Sequence, residues 1–282
     1  MSYKSFEYTP KHTLKPFGPH AGRSGQRLYK TTDDLFVLKT VIKEEGETMA
    51  KIAKDYAAHI SDNKDSFLIS YIGYFHFKKG NTVVRMIVMA NLAANLNNVY
   101  LKYDIKGKAT RGLDPLIEQK GAKNPTYMER GFKAHFPNGL VVLDRNEKQP
   151  GNTNSYVLGV LQWDFAWLFD HKALDYSILV IISEWEKKTT RNSLHGTLRP
   201  DQTCTVDGVP KKFQIRIAII DTLVLECFRK TIEDLAKSFV QIITFQDPND
   251  VTIKPPDVYR DRIYNFAEKE MFPYSARRST VG

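Results

Sequence analysis

Two apolar runs, each bordered by a bare carboxylate, constrain this chain more than any other feature. Asp175 stands at the head of Tyr176-Ser177-Ile178-Leu179-Val180, and Asp221 closes Ile217-Ala218-Ile219-Ile220. Neither run alternates apolar with polar residues, so each predicts a buried strand. A carboxylate beside buried strands is costly unless it is paired, hydrogen-bonded or metal-bound. Two such groups at adjacent strand ends predict one of two things. They are structural caps, or they share a magnesium-type site in which one ligates the ion and the other accepts the proton of an attacking hydroxyl. Spacing alone leaves both open.

The rest of the pattern is mixed. Leu28–Tyr29 and Phe36–Val41 read as strands joined by a polar turn. From Glu44 to Ile60, Met49, Ile52, Ala53, Tyr56 and Ile60 recur at helical spacing. Two further strands are predicted over Phe67–Phe77 and Thr82–Met89, and Lys78-Lys79-Gly80-Asn81 gives a hairpin signal between them. Beyond these lie a strand over Val99–Ile105, a charged loop from Lys106 to Gly131, and an apolar helix from Tyr156 to Phe169. Helices are also expected over Glu226–Ile243 and Pro256–Met271. The fold class predicted is α+β and two-lobed. The divisions expected are an extended lead-in (1–20), a first lobe with an antiparallel sheet (21–92), and a mixed α+β second lobe (93–282) with a surface loop at 186–212.

Composition narrows the function. With 41 Lys+Arg against 32 Asp+Glu, the formal charge is +9, which favours polyanionic partners: nucleic acid, an anionic membrane face or phosphorylated small molecules. Two cysteines and seven scattered histidines exclude a disulfide framework and a Cys/His metal cluster. No apolar run approaches the roughly 20 residues of a spanning helix, so any membrane contact is expected to be peripheral.

Three more groups could carry chemistry. Gly22-Arg23-Ser24-Gly25, just before a strand, is either a plain turn or a loop whose N–H groups face phosphate oxygens. Lys39, inside Phe36-Val37-Leu38-Lys39-Thr40-Val41, is either an edge lysine reaching water or a contact to nucleotide phosphates, with Glu44 or Glu45 as its ion partner. Asp104-Ile105-Lys106-Gly107-Lys108 concentrates charge at a loop mouth, as a solvated turn or a phosphate grip.

Together, in order and spacing, these segments resemble the phosphatidylinositol-phosphate kinase family from about Ala21 to Phe272. Gly22–Gly25 is similar to that family's phosphate loop, and Phe36–Val41 to its nucleotide-lysine strand. Tyr103-Asp104-Ile105-Lys106-Gly107 resembles its Asp-Leu-Lys-Gly-Ser motif, and Asp175–Leu179 its Met-Asp-Tyr-Ser-Leu-Leu segment. Ala218–Asp221 is similar to its metal-aspartate strand, and Tyr259-Arg260-Asp261-Arg262-Ile263 to its closing helix.

The resemblance implies a kinase-like fold using ATP and Mg²⁺ on a phosphoinositide at a membrane surface. It implies nucleotide contacts from Gly22, Ser24, Gly25 and Lys39, with Met89, Asn91 and Leu92 near the adenine. Asp175, Lys106 and Asp104 would form the catalytic set, and Asp221 the Mg²⁺ ligand. Acceptor choice is expected from Glu233, with Lys230 and Lys237 beside it. A glutamate there favours 5-phosphorylation of phosphatidylinositol 4-phosphate, and the 3-phosphate remains an alternative. A cytoplasmic protein, peripheral at the membrane, is expected. A monomer is favoured over a dimer, because only about twenty residues precede the glycine loop.

The chain departs from the family where Met128-Glu129-Arg130-Gly131-Phe132 replaces Lys-Asp-x-Asp-Phe, where Lys108 replaces Ser, and where Ile181 replaces Gly. These departures leave a weakly catalytic phosphoinositide-binding platform as a second expectation. A nucleic-acid binder, supported by charge alone, is a distant third, so no nucleic-acid partner is expected.

Overall fold

The fold is that of a computed structural model, which describes residues 14–16, 26–112, 125–143, 153–186, 193–198, 206, 208–226 and 255–273. The chain divides into two compact units, one of residues 1–61 and 69–96, the other of residues 62–68 and 97–282.

In the first unit, β1 (Lys15–Pro16), β2 (Leu28–Lys30), β3 (Phe36–Thr40), β4 (Tyr71–Lys79) and β5 (Thr82–Ala90) form an antiparallel sheet of order β1-β2-β3-β5-β4. The β4–β5 hairpin turns on Gly80-Asn81, with Gly80 at φ 58°, a conformation that glycine adopts without a Cβ penalty. Helix α1 (Lys43–Asp62) buries Met49, Ile52 and Tyr56 of the expected stripe, leaves Ala53 and Ile60 half-buried, and buries Glu45 and Thr48 in its first turns as well. It lies close to the sheet, since a Cβ on Gly46 would sit 2.0 Å from the Tyr74 hydroxyl. The Tyr56 hydroxyl donates to the Ile69 carbonyl at 2.5 Å.

The strand expected over Phe67–Phe77 begins only at Tyr71. Phe67 and Leu68 belong instead to the second unit, where Asp164 holds them. Its buried carboxylate accepts the Ser66 hydroxyl and the Phe67 N–H, both at 2.7 Å. This long-range capture also explains why the units do not divide simply at residue 92.

The second unit is built on β6 (Val99–Ile105), β7 (Thr126–Tyr127), β8 (Val141–Leu143), β10 (Ser177–Ser183), β11 (Ser193–Thr197) and β12 (Lys212–Ile220), in the order β7-β6-β10-β12-β11-β8. Among the described strand pairs of this sheet, β6–β7 alone is parallel. Strands β9 (Ala173–Leu174) and β13 (Val224–Leu225) form a separate two-stranded ladder. Helices α2 (Glu129–His135), α3 (Thr153–Asp170) and α4 (Pro256–Phe266) accompany them, and α4 runs on into a π-helical turn over Ala267–Met271. Both apolar runs are buried along almost their whole length, as continuous hydrophobicity requires.

Two expected loops contain regular structure. The segment 186–212, expected at the surface, contains β11, which is largely buried and paired on both sides by β12 and β8. Its short, polar Ser-Leu-His-Gly-Thr sequence hid it, yet Gly196 suits an interior strand. A Cβ there would meet the Ile215 side chain at 2.4 Å. The charged loop from Lys106 to Gly131 ends in β7 and the first turn of α2. The helix expected over Glu226–Ile243 lies outside the described residues.

Candidate active site

Strand register brings three of the sequence candidates to one sheet edge. Ser177, the first residue of β10, pairs with Ile220, the last of β12, and Ile178 pairs with Ile105, the last of β6. Asp175 therefore lies just ahead of β10, Asp221 just beyond β12, and Lys106 just beyond β6. The β9–β13 ladder, with Leu174 opposite Val224, holds the far ends of the Asp175 and Asp221 connections.

Both aspartates adopt left-handed backbone, with φ 56° at Asp175 and 60° at Asp221. Asp tolerates this region better than bulkier residues, but such backbone still carries strain of roughly 1–3 kcal/mol each. Two strained carboxylates at adjacent strand ends form an arrangement that plain strand caps do not require. Lys106 Nζ lies 2.5 Å from Asp175 Oδ1 and donates to the Asp175 carbonyl at 2.8 Å. The Asp175 side chain is 53% exposed, so it remains reachable by a substrate hydroxyl.

A second set of contacts holds the Lys106 loop, and it centres on Glu129, which the sequence reading noted only as a departure. The Glu129 carboxylate is fully buried. Its Oε1 accepts the backbone N–H groups of Lys106 at 2.6 Å and Lys108 at 3.2 Å. Arg111 bridges Glu129 Oε2 at 3.2 Å and Asp104 Oδ1 at 3.1 Å. Burial pulls the Arg111 pKa down, but Asp104 and Glu129 together outweigh it and leave the guanidinium raised above its ordinary value. Asp104 is thus engaged with Arg111, and it supports the loop that presents Lys106.

Helix α4 supports the edge from the other side. Gly107 has φ 80°, and a Cβ there would lie 2.6 Å from the Ile263 Cα, so only glycine lets the loop lie against the helix backbone. Arg262 Nε donates to the Lys106 carbonyl at 3.2 Å. The Tyr259 hydroxyl donates to the Tyr176 carbonyl at 2.5 Å, next to Asp175. Burial raises the pKa of the Tyr259 phenol well above its ordinary value, which keeps it a donor. The Tyr-x-x-Arg pattern of the sequence is therefore a buttress for the edge.

The first unit holds its own candidates. Lys39 Nζ lies 3.5 Å from Glu45 Oε1, which settles the choice between Glu44 and Glu45. Glu45 is buried and also accepts the Ile42 N–H at 3.1 Å, so the pair is anchored to the start of α1. Met89 pairs with Val37. Asn91 ties the end of β5 to the start of β3 by donating to the Asp34 carbonyl at 2.7 Å, and Leu92 is buried beside it. Gly22, Ser24, Gly25, Lys230, Glu233 and Lys237 lie outside the described residues.

Among the described residues no group of three or more His, Cys, Asp or Glu could hold a metal ion. The paired strand ends nevertheless suit Mg²⁺ bound alongside a nucleotide, because that ion takes one or two carboxylates and completes its shell with phosphate oxygens and water.

Comparison with known proteins gives the same direction. The family model described as Phosphatidylinositol-4-phosphate 5-Kinase matches residues 9–210, most of the chain. The chain is 32% identical over 161 residues to phosphatidylinositol 4-phosphate 5-kinase type-1 sktl of Drosophila melanogaster, covering 56% of this chain and 19% of that protein. It is 24% identical over 289 residues to the type-1 alpha enzyme of Rattus norvegicus, covering 90% of this chain and 50% of the other. It is 25% identical over 290 residues to the type-1 beta enzyme of Gallus gallus, covering 89% and 51% respectively. The chain thus spans about half the length, or less, of these relatives. On the extent of the family match, the chain belongs to the phosphatidylinositol-4-phosphate 5-kinase family.

Proposed function

We propose that the protein transfers the γ-phosphoryl group of ATP to the 5-hydroxyl of phosphatidylinositol 4-phosphate, giving the 4,5-bisphosphate at a membrane surface. The observation that carries this reading is the convergence of Lys106, Asp175 and Asp221 on one sheet edge, both aspartates in left-handed backbone. The family match includes Lys39, Lys106 and Asp175 but stops before Asp221, so the role of Asp221 rests on geometry and motif.

In this mechanism Lys39, held by Glu45, contacts the nucleotide phosphates. Lys106 offers its ammonium to the transferring phosphoryl oxygens, where negative charge must be stabilised as the bond to ADP breaks. Asp175 orients the acceptor hydroxyl and takes its proton as the new oxygen–phosphorus bond forms. Asp221 would hold Mg²⁺, which would supply positive charge to offset that of the phosphates. Glu233, flanked by Lys230 and Lys237, selects the acceptor headgroup.

The test is ³²P transfer from ATP and Mg²⁺ to vesicles carrying each phosphatidylinositol monophosphate, with product regiochemistry determined. Preferential 5-phosphorylation of the 4-phosphate is expected, abolished in Asp221→Asn and altered in Glu233→Ala. A folded, nucleotide-binding protein with no turnover on any lipid would overturn the reading in favour of a binding platform.

A further inference from the structure

Five of the ten large apolar side chains exposed among the described residues sit on one hairpin: Ile72, Phe75, Phe77, Val83 and Val84, with Phe77 at 55%. Strand β4 is the edge of its sheet, and the hairpin's distal half is exposed on consecutive residues, from Phe75 to Lys78 and from Thr82 to Val84. Consecutive exposure means that both faces of this two-stranded ribbon are open.

The register separates those faces. Phe77 pairs with Val84 and Phe75 with Met86, so Phe75, Phe77 and Val84 share a face that extends the buried cluster of Leu38, Met86 and Val88 outward. The Phe75 and Phe77 rings stack with centroids 6.5 Å apart. On the opposite face, His76 pairs with Arg85 and Lys78 with Val83. The charge is one-sided, since the sequence from Ser66 to Tyr103 contains no Asp or Glu while the hairpin carries Lys78, Lys79 and Arg85.

An apolar face whose nearby charged residues are all cations suits a surface where hydrocarbon and anions meet. Aromatic and aliphatic groups leave water at the headgroup–acyl boundary while Lys and Arg stems reach lipid phosphates. A second copy of this chain suits it less, because a pair joined through the apolar face would leave Lys78 and Arg85 on its outer faces with no anion to meet. We propose that the β4–β5 hairpin is a membrane-insertion element that lays Phe75, Phe77 and Val84 into an anionic bilayer surface. This goes beyond the catalytic reading, in which lipid contact falls to the headgroup-binding residues.

The test is co-sedimentation of the full chain with phosphatidylcholine vesicles, with and without phosphatidylserine, in the absence of phosphoinositide and ATP. Wild type binds the phosphatidylserine vesicles and is released as salt rises. Phe75→Ser/Phe77→Ser weakens binding by about tenfold or more, and Lys78→Glu by roughly fivefold. The exposed positions leave the melting temperature near wild type. Phe77→Trp adds fluorescence that brominated lipid quenches, beyond the quenching of the native tryptophans.

Unchanged binding in the Phe75→Ser/Phe77→Ser variant overturns the proposal. So does a wild-type dimer that this variant converts to monomer, which would assign the face to self-association. Asp221→Asn, inactive under the catalytic reading, binds these vesicles like wild type, so failure of one reading is distinguishable from failure of the other.

Discussion

Glu129→Ala removes the one buried carboxylate that holds the Lys106 loop. In the wild type that group accepts two backbone N–H bonds and pairs with Arg111. Breaking a buried ion pair costs about 3–5 kcal/mol, and each orphaned N–H adds to this. Two features of the structure pull the figure to the lower end. Arg111 keeps Asp104 as a partner, and Lys106 and Lys108 are only partly buried, so water can reach their amides. We expect a loss of about 3 kcal/mol, which lowers Tm by roughly 6–12 °C in a protein of this size. Glu129→Gln keeps an oxygen for the amides and loses only the charge, so it should fall midway, at about 1–2 kcal/mol.

The assays are urea unfolding and lipid-kinase turnover on the same preparations. Loss of Lys106 placement should reduce kcat in Glu129→Ala by about tenfold to a hundredfold, since small displacements of a reacting group are that costly. A Glu129→Ala protein within about 1 kcal/mol of wild type would refute the hub assignment. So would equal losses in Gln and Ala, because the two N–H bonds would then carry no weight.

Gly107→Ala should cost at least about 2 kcal/mol and suppress turnover, because the new Cβ meets the α4 backbone at a position with φ 80°; thermal melts and ³²P transfer check both. His135 is buried, its Nδ1 is hydrogen-bonded to the Tyr103 hydroxyl at 2.8 Å, and burial lowers its pKa to about 4. Its folded value lies below the ordinary 6.5, so the unfolded chain binds more protons between the two. The stability is complete above about pH 6.5 and is lost as pH falls towards 4, by on the order of 3 kcal/mol in all. Urea midpoints from pH 7.5 to 4.5 should drop less steeply in His135→Gln than in wild type. Asp164→Ala should destabilise by about 3 kcal/mol and expose residues 66–68 to hydrogen exchange, since its carboxylate accepts the Ser66 hydroxyl and the Phe67 N–H.

Local chemistry was legible wherever it depended on nearby residues. The stripe of α1 follows from a period of 3.6, the Gly80 turn from glycine's freedom at positive φ, and the two buried strands from unbroken apolar runs. The carboxylates at Asp175 and Asp221 announced themselves because bare charges beside apolar strands demand a reason. The family resemblance then attached a chemistry that the residues could not supply alone.

What the sequence determined by itself was therefore the inventory: which segments are buried strands, where the chain turns, and which charged groups stand at their ends. Tertiary structure alone decided who meets whom. The placement of β10 between β6 and β12 puts Lys106, Asp175 and Asp221 on one edge, although Lys106 and Asp175 are 69 residues apart. Glu129 became the support of the Lys106 loop, Asp164 drew residues 66–68 away from the strand their pattern suggested, and the polar β11 became a buried strand. The physical reason is that periodicity records which face of a segment avoids water. It does not record which neighbour covers that face, and hydrogen bonds to buried charges form only once the neighbours are in place.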